Sequence, residues 1–387
     1  MWRSSKPLRL SNTLLCSLRL QQECGRIRSS VAPRFCFGVV TMMVALGCSG
    51  PSTRPDAQSV PDAQVGWARE PDLPEPVSNN ALASVETEGG CMIFSLLGID
   101  SSRATAGIHN RGFRMRQGDT SWISLPDIPG PPRLATNAVG LRGEPYVLGG
   151  YEVTASGTEV TANTLQRFDL TNGQWQTMAA LPVPVDDVGA VVWRDRYIVV
   201  VSGWSNTGNV DAVQIYDADT DAWIAATSFP GTAVFGQAMA ISGDQLIIID
   251  GVRSGPGGFR LLNQAWRGTL NPDQPAQIEW TDLGQHPGPA RYRAAGGTTK
   301  AGALWFHGGT SEPYNFDGLR YDNGQPAAPL ASTLSYFEGA FSTSEVPDKP
   351  TATMDHRSLV SCGERLLTVG GMTEGPAVTS QVWSIVP

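Results

Sequence analysis

The chain has 387 residues, enough for one large all-β domain, and carries 43 glycines, 28 prolines and 11 tryptophans against only 17% charged residues. Of 28 Lys/Arg and 36 Asp/Glu, residues 1–48 hold seven and one, which leaves 21 basic and 35 acidic residues in the remainder. An acidic body without a Lys/Arg cluster argues against nucleic acid as a partner, because phosphate neutralisation drives that affinity.

The first predicted element is a leader. A basic segment ending at Arg34 runs into the apolar stretch FCFGVVTMMVALGC (Phe35 to Cys48). That stretch is too short to span a bilayer, which takes about 20 residues, and matches the apolar region of a secretory signal. Its end, ALGCSG, resembles the lipobox of bacterial lipoproteins, with Ala45 where Leu is usual. The resemblance implies lipidation at Cys48, residence in a bacterial cell envelope, and, from Ser49, the outer membrane; a secreted or periplasmic protein is the alternative. The segment before Arg34 is long for a leader, so translation is expected to start near Val31. Residues 49–65, SGPSTRPDAQSVPDAQV, have too little apolar content to order themselves and predict a flexible tether.

From residue 66 the chain repeats. Runs of β-branched and aromatic residues end in a Gly-Gly or X-Gly pair at Gly150, Gly203, Gly251, Gly309 and Gly371, with a weaker version around Gly98, at spacings of 48 to 62 residues. An aromatic and then a proline follow each pair: Trp122 with Pro126, Trp175 with Pro182, Trp223 with Pro230, Trp280 with Pro287, and in degraded form Phe341 with Pro347. Between them lies a strand such as LQRFDL or VQIYDA, and after each proline comes a small-residue strand. Four short strands in a period near 50 residues are the pattern of a propeller blade.

These motifs resemble the Kelch repeat, which implies an all-β, six-bladed propeller over residues 66–387, a monomer. The last repeat stops at Pro387 without a fourth strand, whereas GWAREPDLPEP (Gly66 to Pro76) matches the fourth-strand segment QWQTMAALPVP and has no first three. The N-terminal strand around Trp67 is therefore expected to complete the last blade and remove its open edge. Ring closure brings the turns that carry Cys91 and Cys362 side by side, and an oxidising compartment then predicts a disulfide between them.

In such blades the loops from fourth strand to first, and from second to third, emerge on one face. They carry Asn79, Asn80, Arg133, Asn137, Asp186, Asp187, Gln237, the triplet Arg291, Tyr292, Arg293 and the triplet Asp355, His356, Arg357. Arginine triplets facing Asp186 and Asp187 across a funnel predict a pocket for an anionic or sugar-like ligand held by guanidinium forks. Asp187, Arg293 and His356 are the candidate catalytic groups, with His356 as a base beside Asp355. Asp217, Asp219 and Asp221 mimic the opening of a calcium loop but lack its Gly and Glu, and the histidines show no ligand spacing; neither metal nor cofactor is expected. The repeat implies a protein- or glycan-binding module. Six-bladed Kelch propellers also include sialic-acid mutarotases, so a sugar-acid mutarotase or epimerase is the enzymatic alternative, without matching catalytic residues.

Overall fold

The structure, a computed structural model, describes residues 66–387 except residue 344; the expected leader and tether over 1–65, with Cys48, lie outside the described residues. Six four-stranded antiparallel sheets follow one another along the chain. Blade 1 comprises Ala81–Thr87, Gly90–Ile99, Ile108–Arg116 and Ile123–Ser124; blades 2 to 5 occupy residues 137–177, 189–225, 238–284 and 295–342. Blade 6 is Val360–Cys362, Arg365–Val369 and Val382–Ile385, completed by Trp67–Glu70, which pairs antiparallel with Val382–Ile385 from Trp67↔Ile385 to Glu70↔Val382. The expected closure of the last blade by the N-terminal strand is therefore observed.

The core lies between neighbouring sheets, as where Phe94 and Leu96 of blade 1 meet Ala138 and Val147 of blade 2. Small residues on the innermost strands are a steric requirement at the crowded axis: a Cβ on Gly296 would lie 2.3 Å from the Met239 carbonyl oxygen. The strand-ending pairs follow a second rule. Their first member has φ near +60° and tolerates Leu97, Ser202 or Asp250. Their second member is always Gly, because at Gly203, for example, φ is +119° and a Cβ would fall 2.6 Å from Val188.

The tryptophans that precede the prolines in blades 1 to 4 stitch blades together. Each donates its indole N–H to a carbonyl in the turn of the preceding blade: Trp122 to Pro71 (3.0 Å), Trp175 to Pro126 (2.9 Å), Trp223 to Ala179 (2.7 Å) and Trp280 to Thr227 (3.4 Å). Trp67 obeys the same rule, donating to Pro347 of blade 5 at 2.9 Å. Phe341 of blade 5 has no N–H to give and packs instead against Tyr336 at 4.8 Å. Cys91 and Cys362, inside strands of blades 1 and 6 beside the expected turns, are joined by a disulfide with Cα atoms 5.4 Å apart.

Behind the latch strand lies a buried amine. Lys349 donates to the hydroxyls of Thr353 and Thr368, and its Nζ lies 5.8 Å from the centre of the Trp67 ring, with no acidic partner among the described residues. Burial pushes its pKa from the ordinary 10.5 down to about 7. The unfolded chain therefore holds the extra proton between those values, so this contribution to stability grows as pH rises from about 7 to 10.5 and is lost on the way back. Burial, with Lys349 nearby, also keeps His307 and His356 well below the usual imidazole range, which adds a loss on acidification below about pH 6.5. Lys349→Met is expected to flatten the alkaline rise by on the order of 3 kcal/mol between pH 7 and 10. Denaturant midpoints across that range measure it, and an unchanged slope contradicts the assignment.

Candidate functional site

The site is built from one backbone position repeated in every blade. Asn79, Ala135, Asp187, Gly236, Arg293 and Asp355 all have φ between +50° and +70°, each at the end of the loop entering an innermost strand. This left-handed conformation costs about 1–2 kcal/mol for a non-glycine residue, and here neighbouring loops hold it in place. The Asp187 amide donates to the Ala135 carbonyl (2.9 Å), Gly236 to Asp187 (2.8 Å), and Arg293 to Gly236 (2.8 Å). The residue just before each of these positions bridges the residue just after a strand-ending pair, as Asp186 does Trp204 and Phe235 does Val252.

The ring brings charged side chains together on the axis. Arg293 places Nε and Nη2 at 2.9 and 2.5 Å from Asp187 Oδ2, and Nη1 at 3.3 Å from Asp355 Oδ1. Arg357 reaches Asp187 Oδ1 at 2.8 Å and Asp355 Oδ1 at 3.4 Å. Ser78 donates to Asp355 at 2.5 Å, and Asn79 to the same carboxylate at 3.2 Å. Two cations thus meet two anions, all buried. Burial works against the Arg293 charge, but Asp187 and Asp355 outweigh it and the guanidinium stays protonated. The Tyr292 and Tyr314 rings flank it at 4.8 and 5.1 Å.

Above this plug, on the face of the second-to-third-strand loops, is a cavity of about 240 Å³ lined by Tyr151, Glu159, Asp186, Asp187, Trp204, Phe235, Phe259, Arg293, Asn315 and Tyr321. Three two-stranded hairpins, Tyr151–Val153 with Glu159–Thr161, Trp204–Ser205 with Gly208–Asn209, and Val252–Arg253 with Arg260–Leu261, supply walls. The rings form a continuous surface: Trp204 lies 5.6 Å from Phe235 and 6.0 Å from Phe259, and Phe259 lies 4.3 Å from Tyr321. The Asp186 pKa is driven well above the carboxylate range, first by burial and then by Asp187, although Thr161 donates to it at 2.9 Å. Glu159, at the mouth, is also raised, burial leading and Arg293 opposing. At the other end of the axis the innermost strands line an open channel of about 210 Å³.

Of the residues expected in a funnel, Asp186, Asp187 and Arg293 line this cavity. Asp355 and Arg357 belong to the plug beneath it, and the Tyr292 hydroxyl points to Asp187 at 3.4 Å. The others serve the scaffold. Arg133 binds Thr164 and Gln166; Asn137 and Gln237 donate to the carbonyls of Val188 (3.1 Å) and Val201 (2.8 Å). Arg291 turns away to the Ser332 carbonyl and hydroxyl, both at 2.9 Å. His356 hydrogen-bonds Thr353 at 2.7 Å, and the carboxylate of Asp355 is engaged elsewhere, so the expected acid–base pairing does not form. Of the guanidinium forks expected for an anion, those of Arg293 and Arg357 are satisfied by the protein's own carboxylates. Asp217 and Asp219 are likewise held by arginines, Arg196 and Arg142. Trp204, Phe235 and Tyr321 escaped sequence reasoning, whereas Glu159 and Asn315 lie in second-to-third-strand loops, YEVTASGTEV and SEPYNFDG, that the sequence places on this face. Trp204 and Phe235 had a signal: they occupy the two bridged positions flanking the glycine pair and the left-handed residue.

No protein-family profile matches the chain. It is 26% identical over 192 residues to Kelch-like protein terF of Aspergillus terreus, across 45% of this chain and 40% of that one. It is 30% identical over 92 residues to Kelch-like protein 36 of Bos taurus, across 21% and 15%. The matched region is thus less than half the length of either relative. Among solved structures it is similar to YjhT, with TM-score 0.64 and 16% identity over 81% of this chain and 95% of that one. Repeat motifs, blade count and these similarities agree: the chain is a Kelch-repeat, six-bladed β-propeller.

Proposed function

We propose that this propeller is a membrane-anchored binding module working outside the cytoplasm, and that its loop face takes a protein partner. The carrying observation is the rim of the axial cavity, where Phe259 (38% exposed) and Tyr321 (36%) stand in solvent around an aromatic-walled recess. Exposed apolar residues grouped around a pocket are the mark of an interaction site rather than of ordinary surface. The Cys91–Cys362 disulfide supports an oxidising compartment, and the lipobox-like end supports anchoring through Cys48, with the outer membrane favoured over a free periplasmic or secreted form.

A photo-crosslinking residue at Phe259 is expected to capture a partner in envelope preparations, whereas one at Phe337, exposed on the opposite face, is not. Equal capture at both positions defeats the reading. Cys48→Ala should release the protein from the membrane fraction. The second reading, a sugar mutarotase or epimerase, rests on Asp186, whose protonated carboxyl in a cavity is suited to general acid catalysis. Accelerated anomer exchange that Asp186→Asn abolishes is its signature.

A further inference from the structure

We propose that the axial cavity accepts an alkylammonium group, the side-chain end of a lysine presented by the protein partner; this rests on the loop face being the docking surface. The charge balance in the cavity decides the ligand's sign. Arg293, the arginine that lines the cavity, and Arg357 beneath it are consumed by Asp187 and Asp355, so neither is free for an anion. Asp186 and Glu159 remain outside that balance and are the two carboxyls that can supply negative charge when an ammonium enters. Asp186 is only 4% exposed, and Thr161 satisfies one of its oxygens; the other has no hydrogen-bond partner among the described residues. Once it gives up its proton, a buried carboxyl half-satisfied at the edge of a cavity is an acceptor for an entering donor.

The walls favour a cation of a particular kind. Tyr151, Trp204, Phe259 and Tyr321 line it with aromatic rings, which attract ammonium groups and accommodate methylene stems, while a strongly hydrated inorganic ion gains little there. The surrounding body, with 35 acidic and 21 basic residues beyond position 48, adds long-range attraction for a basic partner. The charged and titratable groups facing the recess are Asp186, Asp187, Glu159, Arg293, Tyr151 and Tyr321. An entering ammonium opposes the proton on Asp186, so binding releases that proton and tightens as pH rises.

The test compares acetyl-Gly-Lys-Gly-amide with its norleucine analogue, which keeps the stem and lacks the charge, followed by Trp204 perturbation in NMR. The lysine peptide is expected to bind at least about tenfold more tightly at pH 8, with weaker binding at pH 6. Glu159→Gln, at the exposed mouth, should reduce that preference several-fold, and Asp186→Asn should remove it while norleucine binding persists. Equal binding of the two peptides overturns the inference but leaves the apolar docking site standing. Preference for a neutral sugar, or no binding of the lysine peptide, also overturns it. Failure of the Phe259 crosslink, by contrast, removes the docking reading itself.

Discussion

Deletion of residues 66–76 lowers stability on the order of 5 kcal/mol, roughly a 10 °C drop in melting temperature, while deletion of 49–65 leaves it unchanged. The deleted segment carries Trp67, whose indole bonds Pro347 and whose ring lies 4.5 Å from His307, and Leu73, which is buried between blades 6 and 1. Its Glu70 accepts from Ser384 at 2.6 Å and pairs with Arg365. Without it, Val382–Ile385 becomes an open edge and the Trp122 indole loses its acceptor at Pro71. The disulfide still ties blade 1 to blade 6, so reduction of the truncated protein should cost a further 2–4 kcal/mol, about the range for a disulfide. Calorimetry on the two truncations, with and without reductant, decides the matter. Equal melting of both would mean that the ring is not held in this way.

Arg293→Met is expected to cost about 3–5 kcal/mol, the usual effect of removing one partner from a buried ion network. The change leaves Asp187 and Asp355 buried with Arg357 as their shared cation, and it empties the space between the Tyr292 and Tyr314 rings. Restoring neutrality with Asp187→Asn in the same chain should recover part of the loss, because the uncompensated carboxylate is the main penalty. Chemical denaturation of the single and double variants gives the coupling directly. An arginine that contacts ligand would behave otherwise: stability would hold and only binding would fall.

The readable features share a physical origin in local backbone demands. Gly203 and Gly371 had to be glycine because their φ values, +119° and +96°, are ones that side-chain-bearing residues rarely adopt, and a Cβ there would also meet neighbouring atoms at under 3 Å. A period near 50 residues requires each strand set to find its neighbour, so the unpaired segment at Trp67 and the incomplete repeat at Val382–Ile385 implied one another. Even the blade 5 exception was visible as Phe341 in place of Trp, although its missing hydrogen bond was not.

The site was legible only in outline, since membership in the right loops did not settle direction. Arg291 and Arg293 are two residues apart, yet one turns to Ser332 and the other to Asp187, 106 positions away in the chain. The difference is the left-handed φ of +52° at Arg293, which throws its side chain onto the axis. By itself the sequence determined blade number, strand order, the closing latch and the face that carries the loops, because periodic apolar runs and steric exclusion at glycine act locally. Only the tertiary structure decided that the arginines neutralise Asp187 and Asp355, leaving Asp186 and Glu159 as the cavity's carboxyls without a paired arginine. Pairing across a closed ring depends on distances that no spacing along the chain encodes.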